Sequence, residues 1–147
     1  MTDTLLTTVE IEPTGAARSS VIWMHGLGAD AHDFEPIVPE LNLPTEPGVR
    51  FVFPNAPIRP VTVNGGMRMR AWYDVFSTDL PRREDPDGVY ASERGIYALL
   101  EREKQRGIPA ERIVLAGFSQ GGAMALQTGL RYQDRLAGIL ALSCYLP

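Results

Sequence analysis

The pentapeptide Gly117-Phe118-Ser119-Gln120-Gly121 has the residue types and spacing of a catalytic serine turn. It directly follows the apolar run 113–116 and precedes a segment with helical spacing of apolar residues. A serine held on a tight turn between strand and helix presents its hydroxyl above the sheet, and the flanking glycines avoid collisions where strand and helix nearly touch. The pattern predicts Ser119 as the nucleophile of an acyl transfer. The alternative is a glycine-rich turn that only opens a helix.

A second glycine motif, His25-Gly26-Leu27-Gly28, follows the apolar run 21–24. Acyl transfer needs backbone N–H donors aimed at the oxyanion that develops in the transition state. We expect the amides of Leu27 and Gln120 to be these donors, because Gly26 and Gly28 let the loop curl close to the reacting carbon. We expect His25 to have a structural hydrogen-bonding role. Taken alone, the motif equally fits an ordinary strand-to-helix loop.

Four short apolar runs, at 21–24, 51–53, 113–116 and 139–142, are each bounded by Gly or Pro. Such runs are typical of strands buried on both faces, as in a parallel sheet covered by helices. Between the last two, Ala123, Leu126 and Leu130 fall at helical spacing and predict a helix over 121–131 that faces the sheet. We therefore expect an α/β fold with helices on both faces.

Two further helices are expected upstream. One carries an apolar stripe of Ile96, Leu99 and Leu100, and its other face is predicted to hold charged residues that include Glu93. It should end at Gly107, a left-handed cap. The second helix is predicted over 33–41, broken or distorted by Pro36 and Pro39.

The segment 54–87 is rich in Pro and Gly and too long for an ordinary connection. Its aromatic residues Trp72, Tyr73 and Phe76 favour a functional loop over a disordered one.

Composition excludes several classes of protein. The 147 residues are 44% hydrophobic and 22% charged, which suits one soluble globular domain over 1–147. A net charge of -4 with scattered basic residues argues against a nucleic-acid partner. Cys144 is the single cysteine and is expected to be a structural thiol. No transmembrane run and no signal peptide is apparent, so we expect a cytoplasmic protein.

Neither a metal nor a cofactor is predicted. The histidines, His25 and His32, do not have metal-ligand spacing with each other or with a cysteine or carboxylate cluster. A dinucleotide site is disfavoured because Ala31 stands where the third glycine of the GxGxxG fingerprint would be.

Five blocks occur in order along the chain: His25-Gly26-Leu27-Gly28 with Asp33-Phe34, Phe53-Pro54-Asn55-Ala56-Pro57, Arg70-Ala71-Trp72-Tyr73-Asp74, Gly117-Phe118-Ser119-Gln120-Gly121-Gly122, and Leu142-Ser143 with Leu146-Pro147. Together they resemble the carboxylesterase, lysophospholipase and acyl-protein thioesterase family. The resemblance implies an α/β-hydrolase fold, Ser119 as nucleophile, Leu27 and Gln120 as oxyanion donors, and a loop carrying Trp72 that forms a wall of the acyl or leaving-group pocket. We also expect Phe76 of that loop to line the substrate pocket.

The residues after Ser119 hold no histidine, although triad partners in this fold follow the serine as acid and then histidine. Asp134 is the sole acid there and precedes the last predicted strand. We expect His25 and His32 to be poor candidates for the base, the second being solvated or capping a helix.

This absence predicts a fragment truncated after a central strand and inactive alone, whose acid and histidine come from a C-terminal portion that was removed or is present as a separate chain. The predicted reaction is hydrolysis of carboxylic esters or thioesters. The alternative is a non-catalytic, hydrolase-like binding protein. The fold alone leaves haloperoxidase-like and dienelactone-type chemistry open as a third alternative. A serine rather than a cysteine at position 119 disfavours the dienelactone type.

Overall fold

A computed structural model describes residues 5–77 and 85–147. These residues form seven strands and three α-helices. The strands are β1 (Thr8–Ile11), β2 (Ala17–Met24), β3 (Gly48–Pro54), β4 (Ile58–Val61), β5 (Met67–Arg70), β6 (Ile113–Phe118) and β7 (Gly138–Leu142). The helices are α1 (Ile37–Glu40), α2 (Pro86–Gln105) and α3 (Gln120–Arg131).

The main sheet has five strands in the order β1-β3-β2-β6-β7. Strand β2 pairs in parallel with β3 and β6, and β6 pairs in parallel with β7, while β1 is antiparallel to β3. The four predicted strands are confirmed, and they are the four parallel ones. Their carboxyl ends share one edge of the sheet, where ligands bind in open α/β sheets.

Alternate residues of the strands lie on opposite faces of the sheet and pack into two hydrophobic cores. Ile22 and Met24 face α2 and α3, together with Leu115 of β6. The intervening Trp23 packs on the other face with Phe53 and Ala116. That second face is covered by the segment 31–38, which includes part of the four-residue α1. The sheet therefore has apolar layers on both sides, as predicted, but only one side is covered by long helices.

Helix α2 ends as its sequence indicates. Gly107 has φ +94°, and its amide donates to the Lys104 carbonyl at 3.1 Å. The amide of Ile108 donates to the Glu103 carbonyl at 2.9 Å. These two bonds form a Schellman motif, which satisfies carbonyls that the helix itself leaves unpaired.

Several local predictions were wrong. Helix α1 covers only four residues, because Pro36 and Pro39 leave too few amides to continue the helical ladder. Leu130 is exposed rather than packed on the sheet. Glu93 is buried rather than solvated, because hydrogen bonds from Tyr97, Gln127 and Arg131 stabilise its carboxylate there.

The described part of the long segment 54–87 is also more regular than predicted. Strands β4 and β5 form an antiparallel hairpin around a turn at Gly65 and Gly66. The alternation Met67-Arg68-Met69-Arg70 is a period-two signal for the second of these strands. Within the described residues, no helix is long and apolar enough to cross a bilayer.

Candidate active site

Ser119 lies on a strained turn between β6 and α3. Its backbone has φ 55° and ψ -118°, a conformation that side-chain-bearing residues rarely adopt and that costs about 1–3 kcal/mol. Its amide donates to the Leu142 carbonyl of β7 at 2.8 Å, which fixes the turn. Although Ser119 is the N-cap of α3, its hydroxyl makes no capping hydrogen bond. The side chain is therefore held at the carboxyl edge of the sheet without being used by the helix.

Two glycines allow this turn to close. A Cβ added to Gly117 would lie 2.2 Å from the Gly121 carbonyl oxygen. A Cβ added to Gly121 would lie 2.2 Å from the Met24 carbonyl oxygen and 2.4 Å from that of His25. Because these obstacles are backbone atoms, Gly117 allows the end of β6 to lie against the first turn of α3, and Gly121 allows that turn to lie against the end of β2.

The loop after β2 approaches the serine closely. A Cβ placed on Gly26 would be 3.6 Å from the Ser119 Cβ and 3.3 Å from a ring carbon of Phe118. Gly28 has φ +78°, and its amide donates to the Arg70 carbonyl at 2.9 Å. These contacts place the predicted oxyanion loop, 25–28, directly beside the turn that carries Ser119.

Leu27, Ser119 and Gln120 line one cavity of about 240 Å³. Gln120 is the first residue of α3, so its amide has no intrahelical acceptor. Among the described residues, no atom accepts a hydrogen bond from the amides of Leu27 or Gln120. The structure thus brings together the predicted nucleophile and both predicted donors. The other described residues that line the cavity are Val63, Asn64, Tyr73, Val75, Ser77 and Tyr145.

His25 is a buried structural residue. The Ala56 amide can only donate, so Nε2 of His25, 3.0 Å away, accepts. The ring proton therefore lies on Nδ1, which donates to the Gly26 carbonyl at 2.7 Å. Burial lowers the pKa of His25 below its usual value and favours this neutral form. With both nitrogens occupied, His25 holds the loop and cannot take a proton from Ser119.

The aromatic residues of segment 72–76 are placed differently from expectation. Trp72 is fully buried and does not line the cavity; its indole Nε1 donates to the His25 carbonyl at 2.9 Å. Phe76 is half exposed and is also outside the lining. The neighbouring Tyr73 lines it instead, and its hydroxyl is 2.6 Å from that of Tyr145.

Sequence reasoning missed Tyr73 and Tyr145 as cavity residues. Tyr73 belongs to a block that the sequence singles out, but nothing in the spacing tells which aromatic ring turns towards Ser119. Tyr145 follows β7 in a stretch without periodicity, so its sequence context gave no signal.

Ser119 has no suitably positioned base among His25, His32 and Asp134. His32 is exposed, and its Nδ1 is 2.7 Å from a Glu35 carboxylate oxygen, which raises its pKa. Asp134 precedes β7 and so lies towards the amino edge of the sheet, opposite Ser119. Its carboxylate is 2.7 Å from Lys104 Nζ.

Cys144 is half-buried beside α3, and burial raises the pKa of its thiol. A Cβ on Gly122 would lie 2.8 Å from its sulfur. Among residues 5–77 and 85–147, no group of three or more His, Cys, Asp or Glu side chains is arranged to hold a metal ion.

The fold and the serine turn define the class of protein: a parallel sheet with a strained serine at its carboxyl edge is the α/β-hydrolase arrangement. Residues 7–147 match the family model described as phospholipase/carboxylesterase, and the chain belongs to that family.

The chain is similar to curated relatives named acyl-protein thioesterase 1. Identity is 41% over 142 residues for the Schizosaccharomyces pombe protein, covering 97% of this chain and 62% of the relative. Identity is 44% over 134 residues for the Neurospora crassa protein, covering 87% of this chain and 55% of the relative. The chain thus spans less than two thirds of the length of these relatives.

Solved structures show the same fold. Arabidopsis thaliana SOBER1 superposes with a TM-score of 0.84 at 33% identity, covering 89% of this chain and 63% of that one. Zea mays acyl-protein thioesterase 2 superposes with a TM-score of 0.81 at 29% identity, covering 96% and 63%.

Proposed function

We propose that Ser119 is the nucleophile of a hydrolase that cleaves carboxylic esters or thioesters with hydrophobic acyl groups. The observation that carries the proposal is the left-handed backbone of Ser119 at the junction of β6 and α3, in one cavity with two amides that have no described partner. Family membership and the similarity to acyl-protein thioesterases support the same reaction class.

The proposed reaction has two half-reactions, acylation of Ser119 and hydrolysis of the acyl-enzyme. The Ser119 hydroxyl oxygen bonds to the acyl carbon, its proton passes to a base, and the bond to the leaving alcohol or thiol breaks as that group takes the proton. Water then attacks the acyl-enzyme and releases the carboxylic acid and the free serine. In both half-reactions the amides of Leu27 and Gln120 would bind the negatively charged oxygen. Each amide would lower the activation free energy by about 2.7–4 kcal/mol.

The base and its acid partner are proposed to come from the part of the relatives' length that this chain does not span. Two observations support this. Both His25 nitrogens already have partners, and Asp134 lies towards the opposite edge of the sheet. We therefore expect the 147-residue chain to be inactive alone. We also propose that the protein is cytoplasmic.

The test is turnover of a short-chain aryl ester and of an S-acyl thioester by the full-length protein. Ser119→Ala should lower kcat at least about 10³-fold on both, because the covalent route is lost. Ser19→Ala is the matched control, since Ser19 is half-buried near the amino end of β2, far from the cavity edge. Its kcat should equal that of the parent protein.

Undiminished activity in Ser119→Ala would remove this serine from the mechanism. A parent protein that binds acyl ligands but turns over neither substrate would instead favour the non-catalytic binding protein.

A further inference from the structure

The side chain of Gln120 makes an unusual pair of contacts. It is 5% exposed, although it belongs to the first residue of a helix. Its Oε1 accepts from the Trp72 amide at 2.7 Å, and its Nε2 donates to the Tyr73 carbonyl at 2.8 Å. The orientation of the carboxamide is fixed, because the backbone amide can only donate and the carbonyl can only accept. One side chain thus binds a backbone amide and a backbone carbonyl of a loop some 48 residues earlier in the sequence.

Trp72 connects Gln120 to the oxyanion loop, 25–28. Its amide binds Gln120, while its indole Nε1 donates to the carbonyl of His25, the residue before Gly26. Its own carbonyl accepts from the Ser92 hydroxyl of α2. A residue that is fully buried and bound at three points has little freedom to move.

The same segment binds the oxyanion loop once more. The Gly28 amide donates to the Arg70 carbonyl at 2.9 Å, two residues before Trp72. Residues 70–73 therefore contact the loop on one side and Gln120 on the other. Leu27 lies between the two loop residues bound by this segment, His25 and Gly28.

We propose that the Gln120 carboxamide and Trp72 are positioning residues that set the distance and direction between the Leu27 and Gln120 amides. This inference rests on the proposed function, since it concerns how the proposed oxyanion donors are held. The chemistry needs both amides at about 2.7–3.1 Å from one oxygen. The two amides belong to separate elements, 93 residues apart in the sequence. The Gln120 carboxamide and the Trp72 indole join those elements through a hydrogen-bonded chain that passes through Trp72.

Loss of the link should affect the transition state more than substrate binding. A misplacement of about 1 Å in such a site costs on the order of 10²-fold in rate. Gln120→Met keeps the volume but removes both hydrogen bonds, so we expect kcat to fall about 10²-fold while KM changes by less than about threefold. Trp72→Phe removes the indole donor together with part of the buried ring system, and it should lower kcat about 10-fold.

A matched control lies on the same helix. Gln127 of α3 also reaches another element through its carboxamide, binding Glu93 of α2 at 3.2 Å. Gln127→Met should cost a similar amount of stability but leave kcat unchanged, because that bond is outside the cavity. Unfolding midpoints measured for both variants separate a loss of fold from a loss of positioning.

Gln120→Glu adds a readout that a merely structural role would not move. A neutral carboxyl group can accept from the Trp72 amide and donate to the Tyr73 carbonyl, but an ionised one has no donor for that carbonyl. Burial favours the neutral form. The kcat of this variant relative to the parent should therefore recover as the pH is lowered and fall as it is raised, with the folded fraction constant by near-UV circular dichroism.

The binding of an aryl boronic acid completes the test, because its tetrahedral adduct on serine places an anionic oxygen where the oxyanion forms. Its Ki should rise in Gln120→Met by about the factor by which kcat/KM falls. If kcat and Ki of Gln120→Met stay within threefold of the parent, or Gln127→Met loses as much kcat, the positioning role is overturned. Activity surviving Ser119→Ala would overturn the proposed function itself, which keeps the two failures distinguishable.

Discussion

Replacing Gly121 by alanine perturbs the contact between the first turn of α3 and the end of β2. The added Cβ would lie 2.2 Å from the Met24 carbonyl oxygen and 2.4 Å from that of His25. Carbon and oxygen atoms that are not bonded keep at least about 3.0 Å apart, so helix and strand must separate by about 0.8 Å. No change of side-chain rotamer relieves this clash, because both obstacles are backbone atoms.

The separation should affect both stability and rate. Overpacking of this kind typically costs about 1–3 kcal/mol of unfolding free energy, against which the gain in helix propensity is at most about 1 kcal/mol. The same shift moves Ser119 and the Gln120 amide away from the loop that carries Leu27. A displacement of nearly 1 Å at the reacting groups predicts a loss of on the order of 10²-fold in kcat.

Gly129→Ala is the matched control, on the same helix with the same substitution. There the added Cβ would lie 2.6 Å from Cδ1 and 2.8 Å from Cγ1 of Ile139, which are side-chain atoms that a change of rotamer can move. Urea unfolding and ester turnover should show Gly129→Ala within about 1 kcal/mol and threefold of the parent. If Gly121→Ala is as stable and as active as Gly129→Ala, the reasoning that close backbone packing builds the site is refuted.

Two predictions concern pH. Burial holds the pKa of His25 below its usual 6.5, so the unfolding free energy should fall as the pH drops below that value; His25→Gln, which does not titrate, should flatten this dependence in urea titrations from about pH 7.5 to about pH 5. Burial alone would raise the pKa of Glu10, but hydrogen bonds from Arg106 and Thr8 and the charge of Arg102 lower it to about 2. Glu10→Gln should therefore cost about 1–2 kcal/mol at neutral pH, and that difference should shrink as the pH falls from 4.5 towards 2; an unchanged difference would contradict the assignment.

The serine turn was predictable because glycines encode backbone geometry directly. Gly117 and Gly121 stand where a Cβ would strike backbone, and the apolar run before them identifies the strand. The same holds for the end of α2, where Gly107 supplies a positive φ. In each case a local residue type reports a local constraint, so no knowledge of distant partners is needed.

The direction and burial of individual side chains were not predictable. Trp72 and Tyr73 are adjacent and both aromatic, yet only Tyr73 lines the cavity, because the indole of Trp72 binds the distant His25 carbonyl. Glu93 looks like a solvent-facing helix residue until Gln127 and Arg131 of α3 are brought beside it. These outcomes depend on partners that only the tertiary fold supplies.

The most direct test of the central claim is the crystal structure of the full-length protein after reaction with an alkyl fluorophosphonate. The account predicts phosphorus bonded to Ser119 Oγ and a phosphoryl oxygen at about 2.7–3.1 Å from the amide nitrogens of both Leu27 and Gln120. A phosphoryl oxygen turned to solvent, away from those two amides, or an adduct on a different residue, would contradict it.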